Sequence, residues 1–153
     1  FPHQSIPLMT LIRYKQWIPK MKMYERRLGH KFFFEESLHL MHLSFALRDA
    51  VLFSSWLKTM IRRISFWKTR LIFRFLRYLF INFFSGIMPE LKIRGIKIKL
   101  KGKISVGGNS RKRTIFFRSG ESSYSRVDLR VSQHKQTIGT FTGVQGLQLW
   151  IFY

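Results

Sequence analysis

The 153-residue chain predicts an α+β fold in which basic helices pack on a four-stranded, mainly antiparallel sheet, preceded by a helical or extended N-terminal extension. Two features of the sequence predict it. From Phe32 to Phe84 no proline occurs, and apolar residues recur at helical spacing. After Pro89 the apolar pattern changes to strict alternation, as it does when a chain passes from helix to strand.

Residues 1–31 are punctuated by Pro2, Pro7 and Pro19 and are expected to form an extended arm with a short helix at most. The proline-free run reads as two helices broken near Ser54 and Ser55. In the second, about Trp56 to Phe84, Leu57, Ile61, Ile64, Leu71, Phe75 and Leu79 recur three, four or seven residues apart, and Arg63, Arg70, Arg74 and Arg77 do so on another stripe. One side is suited to packing and the other to phosphate. Beyond Pro89, Ile96, Ile98 and Leu100 alternate with Lys97, Lys99 and Lys101, so the first strand is expected to bury its aliphatic face and display three ammonium groups. Gly107, Gly108, Asn109 and Ser110 supply a turn, and Arg111 to Arg118 forms a second strand in which Ile115 and Phe117 oppose Lys112, Thr114 and Phe116. After a turn at Ser119, Gly120 and Glu121, a third strand is expected where Val127, Leu129 and Val131 alternate with Arg126, Asp128 and Arg130. In the fourth, Leu147, Leu149 and Ile151 alternate with Gln148, Trp150 and Phe152. The organisation is then an N-terminal extension (1–55, arm plus helix), a basic helix with its connection (56–91) and a sheet (92–153), within the limit of one compact domain.

Charge points to the partner. Lys and Arg number 28 against 7 Asp and Glu, a formal charge of +21, and a chain folding against that self-repulsion implies a polyanion. Nucleic acid fits, because each neutralised phosphate releases condensed counterions. From Trp56 to Phe84 the chain holds Lys58, Arg62, Arg63, Lys68, Arg70, Arg74 and Arg77, and no acid occurs between Asp49 and Glu90. A solvated helix would intersperse Glu for pairs one turn apart, so its absence argues for an external anion. Hydrophobic residues at 46% exclude a disordered basic tail. Phe occurs 16 times while Ala occupies only positions 46 and 50, a skew expected of a very AT-rich gene, as in many organelle genomes. There is no cysteine, so neither a disulfide framework nor a zinc knuckle is available. Phe1 is not an initiator Met, so the chain is expected to be processed or its true start to lie upstream.

Catalytic frames are lacking. Glu36, His39 and His42 share a helical face like half of a carboxylate-bridged metal site, but no second half exists, and incidental histidines are the better reading. Neither a phosphate-binding Gly-x-x-x-x-Gly-Lys loop nor a Gly-x-Ser-x-Gly elbow occurs, and seven carboxylates make an acid–base pair improbable. No enzyme, cofactor or metal is expected. Leu71 to Met88 is the best membrane candidate, but Arg74 and Arg77 interrupt it and would each cost ~2.5–3.5 kcal/mol at a bilayer centre. Arg111, Lys112 and Arg113 are expected to extend one basic sheet face with Lys97, Lys99 and Lys101, joined by Arg118, Arg126 and Arg130, as phosphate contacts that position without reading sequence. Trp56, Trp67 and Trp150 are candidates for base stacking, though core packing is the better reading of each.

The run Gly95-Ile96-Lys97-Ile98-Lys99-Leu100-Lys101-Gly102-Lys103, then Gly107-Gly108, Val127-Asp128-Leu129-Arg130 and Thr142-Gly143-Val144-Gln145-Gly146-Leu147-Gln148-Leu149-Trp150-Ile151, resembles the C-terminal domain of small-subunit ribosomal protein S-three. The match covers about the last 60 residues in order, and its final segment is the most specific part. Asn109-Ser110-Arg111-Lys112-Arg113-Thr114 is similar to divergent organellar members. The resemblance implies residues 56–153 as that domain, lying in the head of the small subunit near the mRNA entrance, with the basic helix along incoming mRNA. It implies a structural constituent of a mitochondrial ribosome, with ribosomal RNA, mRNA and neighbouring head proteins as partners. Family members carry a KH domain upstream, whose Gly-x-x-Gly loop clamps a nucleic-acid backbone. Residues 1–90 hold no such motif, and Gly143 to Gly146 leads into a strand, so a KH-containing N-terminal half is expected as a separate partner. The RNA-binding candidates are Arg62, Arg63, Lys68, Arg70, Arg74, Arg77, Lys97, Lys99, Lys101, Arg111, Lys112 and Arg113. Two other functions fit the composition: a basic amphipathic protein at a membrane surface, and a free single-stranded RNA-binding module.

Overall fold

A computed structural model describes residues 8–84, 91–105, 111–120 and 127–153. It is an α+β fold, with four α-helices followed by a four-stranded antiparallel sheet among the described residues. The helices are α1 (Leu8–Leu28), α2 (Phe33–Leu47), α3 (Ala50–Arg63) and α4 (Thr69–Leu79), with a 3-10 turn at Phe66–Lys68 and a π turn at Phe80–Phe84. The strands are β1 (Gly95–Gly102), β2 (Arg113–Gly120), β3 (Val131–Thr140) and β4 (Gly143–Phe152), in the spatial order β2-β1-β4-β3. The turn expected at Gly107 to Ser110, and Glu121 and Arg126, lie outside the described residues.

The helix layer departs from the sequence expectation in three places. The first is α1, 21 residues long with Pro19 inside it rather than an arm. Proline removes one helical donor and crowds the preceding turn, but Met21 and Leu28 of this helix are buried and Trp17, Ile18 and Tyr24 pack against the same core. Burial outweighs the local penalty. The second concerns the break between α2 and α3, which falls at Arg48 and Asp49 rather than at Ser54 and Ser55. Arg48 takes the left-handed conformation that ends α2, and the Asp49 side chain caps α3 by accepting from the Val51 amide at 3.0 Å. Ser54 is buried inside α3, where its hydroxyl accepts from Gln136 Nε2 at 2.6 Å. The third is a break at Ile64 and Ser65, which divides the expected long basic helix into α3 and α4.

One core joins the layers. Ile96, Ile98 and Leu100 of β1 pair with Ile151, Leu149 and Leu147 of β4, and these six face the helices. Ile115 and Phe117 extend that face on β2, and Ile138 on β3. Helix α3 lies over β3 and β4, α4 lies over β2, and α1 packs outside against α2 and α4. Two residue pairs tie α3 to β3 across 82 residues of sequence: the Ala50 amide donates to Ser132 Oγ at 3.2 Å, and Gln136 Nε2 donates to both the carbonyl and the hydroxyl of Ser54. Phe75 of α4 sits at the centre of an aromatic cluster, with Phe33 edge-on at 4.7 Å and Tyr24 at 6.3 Å.

The third strand begins four residues later than its apolar alternation suggested. Leu129 turns onto Trp150 and Phe152 to form a small cluster, and Asp128 accepts from the Arg94 guanidinium at 2.8 Å. Arg130 and Tyr153 exchange backbone bonds of 2.8 Å and start the ladder. Residues 131–140 read as polar because β3 is an edge strand with one face in water. Strand β4 is also longer than expected, because Gly143 to Gly146 belongs to it.

Candidate nucleic-acid interface

The twelve basic candidates do not form one face. Arg70, Arg74 and Arg77 stand four and three residues apart on α4, so one helix stripe carries all three, and each is exposed. Strand alternation brings Arg113 to the helix side of β2, and together they line a groove of about 600 Å³ with Phe73, Thr114, Ile115, Phe116 and Phe117. Four guanidiniums thus face a channel floored by an edge strand, and no carboxylate among the described residues lines it. Planar guanidinium forks match phosphate oxygens in pairs, which a point charge cannot do.

Lys99, Lys101 and Lys112 lie on the opposite face of the sheet, around a cavity of about 350 Å³ shared with Gly102, Val144, Gly146 and Gln148. Arg111, Lys112 and Arg113 therefore do not extend one basic face: successive strand residues point to opposite sides, and the pair 112 and 113 is divided between two surfaces. Arg111 is exposed just before β2.

Lys97 is not displayed as expected. It is only 7% exposed, opposite Arg118 and Trp150 in the ladder, with its ammonium 5.8 Å from the ring centres of both Phe116 and Phe152. Burial pushes its pKa below the usual lysine value of 10.5, and the Arg118 charge adds to the effect. The unfolded chain therefore holds a proton that the folded chain releases sooner, and stability rises with pH toward 10.5. Lys97→Met is expected to raise the urea midpoint at pH 7, with the difference from wild type shrinking as the pH approaches the ordinary lysine value. A constant difference across that range would show that Lys97 titrates as an exposed lysine.

Lys68 is exposed, but its ammonium donates to the Arg27 carbonyl at 2.7 Å and ties α1 to the turn before α4. Arg62 and Arg63 are exposed at the end of α3 and line a separate cleft with Trp67 and Phe141. Of the three tryptophans weighed for stacking, Trp56 and Trp150 are buried and Trp67 is exposed. Phe141 carries no signal in the sequence, because nothing in the local pattern marks a turn aromatic that stands beside a helix end.

Among the described residues no group of three potential metal ligands comes together, and Glu36 instead accepts from Trp56 Nε1 at 3.3 Å. No helix among the described residues is long and apolar enough to cross a membrane. No protein-family model matches the chain, and no curated protein matches it.

Proposed function

We propose that the chain is an RNA-binding structural protein of the small subunit of the mitochondrial ribosome, holding ribosomal RNA in the subunit head and contributing to the mRNA entrance during translation. The observation that carries the RNA-binding part is the groove in which Arg70, Arg74 and Arg77 face Arg113, with no lining carboxylate among the described residues. Such a channel suits a phosphate backbone and leaves sequence unread. Ribosomal placement comes from the resemblance to the S-three family, and two of the matching stretches, 95–103 and 142–151, supply the paired central strands β1 and β4. The proposed partners are small-subunit ribosomal RNA, mRNA, neighbouring head proteins and a KH-containing N-terminal half. The role is structural rather than catalytic.

The apolar side of α4 favours this reading over attachment to a membrane surface. Ile72, Phe73, Phe75, Leu76 and Leu79 are buried within the protein, so no apolar stripe of this helix remains for a bilayer interface. Sedimentation of mitochondrial extract through a sucrose gradient tests the proposal. The chain should peak with small-subunit ribosomal RNA and stay there at moderate salt. Recovery at the top of the gradient bound to short RNA would point to a free single-strand-binding module, and flotation with anionic liposomes to a membrane-surface protein.

A further inference from the structure

A second surface holds features that phosphate binding leaves unexplained. Phe141 occupies the two-residue turn between Thr140 and Gly143, where hairpin chemistry calls for Asn, Asp or Gly. It is 74% exposed, and Trp67 is 59% exposed. Phe66 lies between them, edge-on to Phe141 at 4.7 Å and to Trp67 at 5.4 Å, so the three rings form one aromatic ridge. The ridge borders an open cleft of about 430 Å³ whose other wall is the end of α3, with Arg62 and Arg63 exposed there. Two large rings in water beside two guanidiniums serve neither the core nor the turn.

We propose that this cleft seats an unpaired RNA nucleotide, with its base stacked on the Trp67 and Phe141 rings and its flanking phosphates held by Arg62 and Arg63. The inference rests on the RNA-binding reading and adds a preference for single strands, because a base inside a duplex has no free face to offer. An acidic peptide would satisfy the guanidiniums but would leave the rings in water. A nucleotide satisfies both. The α4–β2 groove then holds backbone without regard to pairing, while this cleft selects strands whose bases are splayed out.

Titrating the full chain with octauridylate, and with an abasic ribose–phosphate oligomer of equal length, separates stacking from charge. Wild type should bind the octauridylate about tenfold more tightly, with quenching of tryptophan emission. Trp67→Leu and Phe141→Ser, both at exposed positions, should each lose most of that preference while keeping the abasic Kd and the circular dichroism of wild type. Equal affinity of wild type for the two oligomers, or an undiminished preference in both variants, would overturn the cleft and leave the groove standing. Binding of neither oligomer at 0.15 M salt would overturn both. Octaglutamate that quenches tryptophan emission with the affinity of octauridylate would reassign the cleft to an acidic peptide.

Discussion

Replacing Arg70, Arg74 and Arg77 together by Gln is expected to weaken RNA binding roughly fiftyfold at 0.15 M salt, with the deficit closing as salt approaches 1 M. Each phosphate neutralised on a single strand contributes about 0.7 to the slope of log affinity against log salt. Removing three such contacts lowers the slope by about 2, which gives the fiftyfold figure when extrapolated from 1 M to 0.15 M. Filter binding of one RNA across a salt series measures the slope and the affinity at once. An affinity that falls equally at every salt concentration would mean that the arginines act through shape or folding, and an unchanged slope would remove the groove from the interface. Because the three side chains are exposed, the substitution should leave the urea midpoint at or slightly above that of wild type, as self-repulsion is relieved.

Phe75→Ala should do the reverse. Phe75 is fully buried, one position along α4 from Arg74, and packs edge-on against Phe33, with Tyr24 and Phe34 at the rim of the same cluster. Truncating a buried phenylalanine costs about 3–5 kcal/mol through lost transfer energy and an unfilled cavity. Against a typical total of about 5–15 kcal/mol, such a loss leaves a domain near its folding threshold. The urea midpoint should fall sharply, while the fraction still folded should retain the wild-type salt slope for RNA. A shift below about 1 kcal/mol would mean that the helix layer repacks freely and that α4 is not anchored as described. The two variants together ask whether the two sides of one helix divide stability from binding.

Much of this division was legible before any fold was known. The spacing of Arg70, Arg74 and Arg77, and the burial of Phe75 and Leu79, follow from helical periodicity alone. The alternation at 96–101 likewise placed Ile98 and Leu100 in the core. Arg113 shows the limit of such reasoning. Its parity on β2 was readable, but its meeting with α4 depends on which strand lies under which helix, and that is decided by the packing of distant elements. Lys97 misled for a related reason: alternation gives the side of a sheet but not what covers it, and here Trp150, Phe152 and Leu129 make a second small core on the nominally open face. The break at Asp49 rests on a side-chain bond to the Val51 amide, whereas the adjacent serines at 54 and 55 suggest an interruption that does not occur. Ser54 in fact takes part in a helix-to-strand bond whose partner, Gln136, comes 82 residues later.

That separation has a consequence for how the chain is made. Among the described residues every helix precedes every strand, so the sides of α3 and α4 that pack on the sheet leave the synthesising ribosome before that surface exists. The last strand residue is Phe152 and the last helical one Phe84, and at about 5–20 residues per second the intervening 68 residues take about 3–14 s to appear. For that interval these two helices expose the apolar residues that will meet the sheet, and the dense positive charge on the same segment opposes association of one such intermediate with another. The arginines of α4 would then serve twice, first as a repulsive coat on an unfinished chain and later as the lining of a groove.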